Sequence, residues 1–456
     1  MKIPLAPIYL RPCVPAVPGQ DQSMTKKLFA NAARILSAGA VLAWPGKATA
    51  QAISYYLHDG DQVVTYGDSI TDQRLYTVDI EAFTQTRYPD LTIHWVNSGW
   101  GGDTVKGGAG GDIEMRINRD IIPYHPTVMT VMLGMNDGGY AKFDKTKFET
   151  YADGYRHILQ EVREKVPGVR YTLLTPSPWD DINYPLGYLF TSGAPGYNVT
   201  LAAYSDEVGR IGGAFKAQVV DFNSTMNALL AKAKEIDPTN AKDIVPGRVH
   251  PSPGGHVFMA AAMAKGWGMG PMVSMVGLDA AAGAITTTTN AQAHIQSTQG
   301  GLTWTATEGA LPLPIDFQDK ITKLVIQASD IVDTLDQEIL QVANLPAASY
   351  QLKIDDKDIG VLSREQLAAG VNLATLNTPM LEQSKKVLQY AHQHTDIHWE
   401  VWRSVRLNLT HYDSPAVNEA VDKAIDHMEA ANQEAMAMER KTAQPQPHTF
   451  ALVPKS

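Results

Sequence analysis

The chain has 456 residues, of which 38 are Lys or Arg and 48 are Asp or Glu, so its formal net charge is −10 at pH 7. An acidic balance argues against nucleic acid and anionic membrane surfaces as partners, because both repel negative charge. The single cysteine, Cys13, lies near the N-terminus. The rest of the chain must therefore rely on its hydrophobic core, for which about 400 residues suffice.

The first 50 residues have the pattern of a targeting segment. Lys26 and Lys27 precede a mostly apolar stretch at residues 35–44, and the small-residue sequence Ala48-Thr49-Ala50 follows it. This order is typical of a secretory signal peptide cleaved after Ala50, and a short amphipathic anchor is the alternative. We predict export to the periplasm or beyond the cell, with residues 1–23 as a leader. The sequence has no apolar run of the ~18 residues that a membrane-spanning helix needs.

Strand-like and helix-like segments alternate between residues 61 and 270. The strand-like segments are 62–66, 92–96, 127–133, 169–175 and 217–222. Apolar residues recur at three- and four-residue steps over residues 148–166, which predicts an amphipathic helix between the third and fourth strands. Short parallel strands with crossover helices predict an α/β domain with a doubly wound parallel sheet of about five strands.

Four polar blocks follow strand-like segments or open a helix-like one. Ser69 stands in a Gly-Asp-Ser turn after the first strand, Gly102 and Asn136 follow the second and third strands, and His250 precedes an apolar helix-like run. Singly, these residues have ordinary interpretations as a helix cap, a loop glycine, a turn residue and a loop histidine. Carboxyl ends of parallel strands share one sheet edge, where ligands bind. Together the blocks therefore indicate a site.

The four residue types suit acyl transfer. Ser69 is the candidate nucleophile and His250 the candidate base, since a neutral imidazole can take and return a proton near neutral pH. Gly102 lets its backbone N–H approach a ligand closely, and Asn136 offers a side-chain donor. With the N–H of Ser69 these groups predict a three-donor oxyanion hole. The sequence lacks a phosphate-binding Gly-x-x-x-x-Gly-Lys loop and a His-Glu-x-x-His zinc helix.

In these four blocks the chain resembles the SGNH hydrolases, also called GDSL esterases and lipases, a family named for an ordered Ser, Gly, Asn and His. The resemblance covers residues 61 to about 267, and extends to a long type with a Gly-Trp-Gly-Gly-Asp second block and a C-terminal extension. It implies the flavodoxin-like form of the sheet and ester hydrolysis without a metal or organic cofactor. We expect the adjacent Asp68 and Asp137 to support the site.

One position departs from the family pattern, which places an aspartate three residues before the histidine. Here that position is Gly247. Three explanations are open. The protein works as a Ser-His dyad, another carboxylate substitutes, with Asp180, Asp181 and Asp243 as candidates, or the chain is weakly active because of a natural or introduced substitution. Loss of the acid costs about 10⁴-fold in turnover in serine hydrolases when nothing replaces it.

A second region begins near residue 272. Short strand-like segments lie at 284–288, 301–307, 321–327, 339–342 and 350–354, with helical patterns at 380–407 and 416–441 and an extended tail from Thr442. We divide the chain into a leader and signal (1–50), a hydrolase domain (51–271), a small β-rich module (272–378) and C-terminal helices with the tail (379–456). The β module is either a carbohydrate-binding domain or a support for the hydrolase domain. Trp304, Trp399 and Trp402 form either a sugar platform or core.

The sequence thus predicts an exported serine ester hydrolase of small acyl esters, with acetyl groups on carbohydrates among them. Export and the family resemblance motivate the carbohydrate substrate. One alternative is an SGNH-like binding scaffold that is inactive or weakly active. A second is an acyltransferase, which would pass the acyl group to a sugar acceptor rather than to water.

Overall fold

The computed structural model describes residues 55–184, 196–409 and 414–455. The predicted leader, signal peptide and cleavage site lie outside these residues. Within these three ranges, no helix combines the length and the apolar character needed to cross a membrane.

The first half of the described chain alternates strands and helices, as its sequence predicts. Its elements are β1 (Gln62–Gly67), α1 (Ser69–Asp72), α2 (Leu75–Arg87), β2 (His94–Gly99), β3 (Gly107–Gly108), β4 (Gly111–Asp112), α3 (Ile113–Asp120), β5 (Val128–Met132), α4 (Lys145–Lys165), β6 (Arg170–Leu174), α5 (Tyr197–Phe215), β7 (Gln218–Val220), α6 (Phe222–Ile236) and α7 (Pro253–Gly266). Short 3₁₀ turns occur at Ile122–Tyr124, Ala241–Asp243 and Pro246–Arg248.

Five of these strands form one parallel sheet in the order β2-β1-β5-β6-β7. This order is flavodoxin-like, and the prediction of a doubly wound sheet is confirmed. The strands are buried on both faces, and Val63, Val64 and Tyr66 of β1 are fully inaccessible. Helix α4 buries the predicted apolar stripe, including Tyr155 and Leu159, against the sheet. The connection after β1 leads to β2 on one side of it, and the chain then returns to add β5, β6 and β7 on the other side. This reversal of strand order is a topological switch point, so a ligand is expected outside the carboxyl ends of β1 and β5.

The second half combines antiparallel sheets with helices. Its elements are β8 (Met272–Asp279), β9 (Ala284–Thr289), β10 (Ala291–Ser297), β11 (Leu302–Glu308), α8 (Lys320–Gln327), α9 (Ile331–Leu335), β12 (Gln337–Ala343), β13 (Ser349–Ile354), β14 (Lys357–Ser363), α10 (Arg364–Ala369), β15 (Val371–Asn372), α11 (Pro379–Trp399), α12 (Leu407–Leu409), α13 (Pro415–Ala443) and β16 (His448–Lys455). A 3₁₀ turn covers Leu373–Thr375, and a π-helical stretch, Glu400–Arg406, continues α11.

One strand prediction is wrong, because residues 321–327 form helix α8. Ile321, Leu324 and Val325 share its buried face at helical spacing, and the side chain of Asp319 accepts hydrogen bonds from the first turn, at 2.7 Å from the N–H of Thr322. An apolar run of seven residues fits either structure by pattern alone, and the capping aspartate is the signal that decides it.

The tail after Thr442 is more than an extended end. It forms β16, which lies between β11 and β13 in the sheet β10-β11-β16-β13-β14. The last residues of the chain therefore belong to the same sheet as the β-rich module, and a boundary at residues 378–379 does not separate them. The second sheet, β15-β12-β8-β9, includes β8, which the sequence pattern did not reveal.

Two of the three tryptophans are core residues rather than an exposed platform. Trp304 is fully buried and stacks on Phe450 at 5.2 Å between ring centroids, and Trp402 is buried against the hydrolase domain. Only Trp399 is partly exposed. Helix α11 packs along α2 and against α13, so the C-terminal helices support the hydrolase domain directly.

Candidate active site

Ser69 lies at the carboxyl end of β1, where it begins helix α1. Asp68 caps this helix, and its Oδ1 accepts a hydrogen bond from the N–H of Ile70 at 3.0 Å. The cap fixes the sharp strand-to-helix turn and leaves the Ser69 side chain at the open edge of the sheet. Burial, with a smaller contribution from the nearby Asp137, raises the pKa of the Asp68 carboxyl to about 7.

The structure brings Ser69 and His250 together across 181 residues of sequence. Nε2 of His250 lies 2.8 Å from Oγ of Ser69, which is hydrogen-bonding distance for a nucleophile and its base. His250 follows the 3₁₀ turn Pro246–Arg248 and precedes α7, whose N-cap Ser252 fixes the chain direction. The imidazole is open to solvent on one side, yet the protein around it lowers its pKa below the ordinary value by desolvation.

No carboxylate in the described residues bonds to His250, and none raises its pKa. Asp180 is buried, and its carboxylate accepts from the backbone of Ile182 and from Asn183. Asp181 pairs with Arg248 at 3.2 Å. Asp243 lies in the 3₁₀ turn Ala241–Asp243 and has no contact with the imidazole.

Gly247 stands at the position of the missing acid and has a left-handed backbone, with φ +68°. A Cβ at this position would meet nothing within 4 Å, so the site has room for a side chain. Its N–H donates to the hydroxyl of Tyr184 at 2.9 Å. The left-handed conformation favours glycine and, among other residues, asparagine and aspartate.

The two other blocks lie at the ends of the strands on either side of β1. Gly102 has φ +80°, a Cβ there would meet nothing within 4 Å, and the residue is exposed. Asn136 follows β5, and its Nδ2 donates to the backbone oxygen of Asp103 at 3.0 Å. The amide is oriented by the hydroxyl of Tyr140, which donates to Asn136 Oδ1 at 2.8 Å. The bond to Asp103 ties Asn136 to the loop that carries Gly102.

Buried charges anchor that loop. Asp103 pairs with Nε of Arg116 at 2.7 Å, and both side chains are fully inaccessible. Arg116 also binds Asp120 and donates to the backbone oxygen of Ser98 at 2.7 Å. Breaking such a buried pair is costly because it leaves an uncompensated charge.

Asp137 supports the same loop from the Asn136 side. Its Oδ1 accepts from the N–H of Val105 at 2.9 Å, and burial raises the pKa of its carboxyl to about 7. Asp68 and Asp137 thus each accept a hydrogen bond from backbone beside the candidate site.

The C-terminal region reaches this loop through Asp72, one helical turn after Ser69. Asp72 Oδ2 accepts from the N–H of Gly101 at 3.1 Å, and its Oδ1 accepts from Nε1 of Trp399 at 3.1 Å. The guanidinium of Arg403 lies 3.7 Å from the same carboxylate and 3.4 Å from the ring centre of Trp100. A single carboxylate therefore joins the nucleophile helix, the glycine loop and the C-terminal helix.

The sequence does not predict a role at the site for Asp72, Arg116 and Arg403, and it marks Trp399 only as a candidate for a sugar platform or the core. Asp72 has a weak signal, because the spacing of three places it on the Ser69 face of a helix. Arg116 and Arg403 have none, since they belong to no motif, and the Trp399–Asp72 contact joins residues distant in sequence.

Comparisons with known proteins agree with the fold. Residues 65–258 match the model of the GDSL-like lipase/acylhydrolase family. An acetylxylan esterase of Geobacillus stearothermophilus is 27% identical over 229 residues, which cover 45% of this chain and 93% of that protein. A solved structure described as a gut microbial diltiazem-metabolizing enzyme is 21% identical and covers 88% of this chain and 99% of that one, with a TM-score of 0.75. The likeness to this solved structure shows that the fold recurs over most of the chain.

The family match over residues 65–258 and the likeness to the acetylxylan esterase define the protein as a carboxylic ester hydrolase. Residues 65–258 form a GDSL-like lipase/acylhydrolase domain, the domain of the SGNH hydrolases.

Proposed function

We propose that the protein is an exported serine esterase that removes small acyl groups, acetyl groups on carbohydrates first among them, through a Ser69–His250 dyad. The observation that carries the proposal is the 2.8 Å contact between Ser69 Oγ and His250 Nε2 at the switch point of the sheet. Likeness to an acetylxylan esterase supports the acetyl-carbohydrate substrate.

In the first half of the reaction, Ser69 Oγ attacks the acyl carbon while His250 Nε2 takes the hydroxyl proton. The N–H groups of Ser69 and Gly102 and the amide of Asn136 stabilise the oxyanion. The tetrahedral intermediate expels the alkoxide, which takes the proton from His250 and leaves as the alcohol. Water then attacks the acyl-serine with His250 again as base, and the carboxylic acid is released.

The dyad needs an acceptor for the second ring nitrogen of His250, and because this residue is exposed to solvent, we assign that role to water. The lowered pKa keeps His250 neutral, and therefore competent as a base, at and below neutral pH. The buried Asp103–Arg116 pair and the bond from Val105 N–H to Asp137 fix the loop and so preorganise the oxyanion donors. Stabilisation of the oxyanion by such donors is expected to supply most of the rate enhancement.

The test is acetate release from p-nitrophenyl acetate and from acetylated xylan, by wild type and by Ser69→Ala. We expect release by wild type and loss of it in the variant, with unchanged thermal unfolding. If folded wild type hydrolyses no acyl ester, so that no carboxylic acid is released, the protein is a binding scaffold. Acetyl transfer to an added sugar in preference to water would make it an acyltransferase.

Export is tested on the same protein. Expression of the full chain in a bacterial host, followed by N-terminal sequencing of the periplasmic and secreted fractions, should give a chain that starts at Gln51. A full-length chain confined to the cytoplasm would contradict the proposal.

A further inference from the structure

Three ionisable side chains from three different helices meet in the interior, outside the active site. Glu81 lies on α2 of the hydrolase domain, His394 on α11 and Glu439 on α13. Each residue is buried, with no more than 3% of its surface exposed. One possible ligand atom from each lies within 4.8 Å of those from the other two.

The hydrogen bonding of this cluster is incomplete. His394 Nε2 lies 2.6 Å from Glu81 Oε1, the carboxyls of Glu81 and Glu439 adjoin each other, and Asn432 adjoins His394. Oε1 of Glu439 and Nδ1 of His394 nevertheless have no hydrogen-bond partner of good geometry among the described residues. No lysine or arginine of the described ranges lies within 4 Å of either glutamate. Arg440 acts only at longer range, and Asp396 adds further negative potential at His394. Two carboxylates are thus buried with no lysine or arginine partner among the described residues, and a single imidazole can neutralise at most one of them, which is costly.

We propose that Glu81, His394 and Glu439 bind a divalent transition-metal ion of the zinc type. Two carboxylate oxygens and an imidazole nitrogen are a common donor set for Zn²⁺, whereas Ca²⁺ and Mg²⁺ require more oxygen ligands. A doubly charged cation neutralises both glutamates while the imidazole remains neutral. This charge balance removes the penalty of the buried carboxylates.

A small cavity shares Glu81 with the cluster. A cavity of about 10 Å³ is lined by Glu81 and by polar side chains that include Thr65, Thr77 and Asn97. This volume accommodates one water molecule, and the lining offers it hydrogen bonds. Three protein ligands and a water make up a four-coordinate zinc site.

The proposed ion has a structural role. It joins α2 to α11 and α13, and so fastens the C-terminal helices onto the hydrolase domain. A ligand that binds only the folded chain raises its stability by mass action. Metal binding should therefore raise the melting temperature independently of turnover.

The test is metal content and melting temperature of the full chain after chelation with EDTA and reloading with Zn²⁺. Wild type should retain about one zinc ion per chain, as expected for a buried site, and melt higher by on the order of 5 °C. Glu439→Gln and His394→Gln should bind little zinc and melt at the metal-free temperature. The control is His398→Gln, which removes another buried histidine one turn further along and should leave zinc binding intact.

A wild type without bound zinc and without a zinc-dependent melting shift would overturn the proposal, and the cluster would then share a proton instead. In that case Glu439→Gln should stabilise the chain by removing a buried charge. Retention of zinc by both variants would also overturn it. If the variants fail to fold, titration of metal-free wild type with Co²⁺ decides, since a bound ion must give visible d–d absorption and no absorption excludes the site.

Discussion

At the residue scale, the site depends on a few atoms whose partners the structure identifies. Oγ of Ser69 and Nε2 of His250 are 2.8 Å apart, and the Asn136 amide is oriented by Tyr140. The first contact joins residues 181 positions apart, and the second lies within the single turn at residues 135–140. Each makes a distinct kinetic prediction.

Asn136→Ala should lower kcat by about 10²–10³-fold with a smaller change in KM, because the lost donor acts on charge that develops in the transition state. Tyr140→Phe is the control, since it removes only the hydroxyl that orients the amide, and should cost far less. Steady-state kinetics on p-nitrophenyl acetate measure both. A pure KM effect of Asn136→Ala would assign this residue to substrate binding.

Gly247→Asp should speed turnover and raise the kinetic pKa of His250, because a neighbouring anion favours the imidazolium. In wild type the kinetic pKa should lie below 6.5, since burial lowers it and no carboxylate raises it. Activity should therefore fall as pH drops through that value, when the base becomes protonated.

Gly247→Asn is the matched control for this change. It has the same shape and the same strain at φ +68° but no charge, so any gain confined to the aspartate variant is electrostatic. The measurement is the pH–rate profile of the three proteins. The dyad would be refuted if Asp180, Asp181 or Asp243, changed singly to Asn, cost a folded enzyme about 10⁴-fold in turnover.

At the scale of elements, the sequence predicts well what local patterns encode. The five strands, helix α4 and the strand-end placement of Ser69, Gly102 and Asn136 follow from periodicity and turn chemistry. Helix α8 was mistaken for a strand because seven apolar-rich residues fit both patterns. The place of β16 and the Trp399–Asp72 contact depend on pairing across hundreds of residues, which single-sequence patterns do not carry.

The C-terminal helix should influence catalysis through Asp72. Trp399→Phe removes the indole N–H but keeps an aromatic ring at this position, so Asp72 holds the Gly101 loop less firmly. Loss of a hydrogen bond to a charged group costs ~1.5–3 kcal/mol. If about half of this free energy is lost from stabilisation of the transition state, kcat falls roughly tenfold.

Gln383→Met is the control for this prediction. It removes bonds from the same helix to the backbone of Thr442 and Gln444, away from Asp72, and should lower stability without lowering kcat. The decisive readout is the double variant Asp72→Asn with Trp399→Phe, measured by kcat. If Trp399 acts through Asp72, the double variant should be no slower than Asp72→Asn alone, and additive losses would show that it does not.

At the scale of the whole molecule, buried carboxyls set how stability responds to pH. Burial raises the pKa of Asp79 to about 8, and Asp336 is raised to about 7. Such groups keep a proton in the folded chain at pH values where the unfolded chain has lost it. The folded state then binds more protons, so its stability falls as pH rises through this window.

The melting temperature should therefore decrease from about pH 5 to about pH 8, where the unfolded chain has lost these protons and the folded chain still holds them. Asp79→Asn should flatten this decrease, because the amide occupies the same space without a charge to bury. The exposed Asp90, changed to Asn, is the control and should leave the slope unchanged. Calorimetry across this pH range measures the melting temperature of each protein. An equal slope in wild type and Asp79→Asn would contradict the raised pKa of Asp79.

We propose a single reacting serine, Ser69, and covalent labelling tests that proposal most directly. A fluorophosphonate probe should modify wild type, and mass spectrometry of the digested protein should find the label on Ser69, with labelling slowed strongly by His250→Ala and absent in Ser69→Ala. A label on another serine, or equal labelling of Ser69→Ala, would contradict the account.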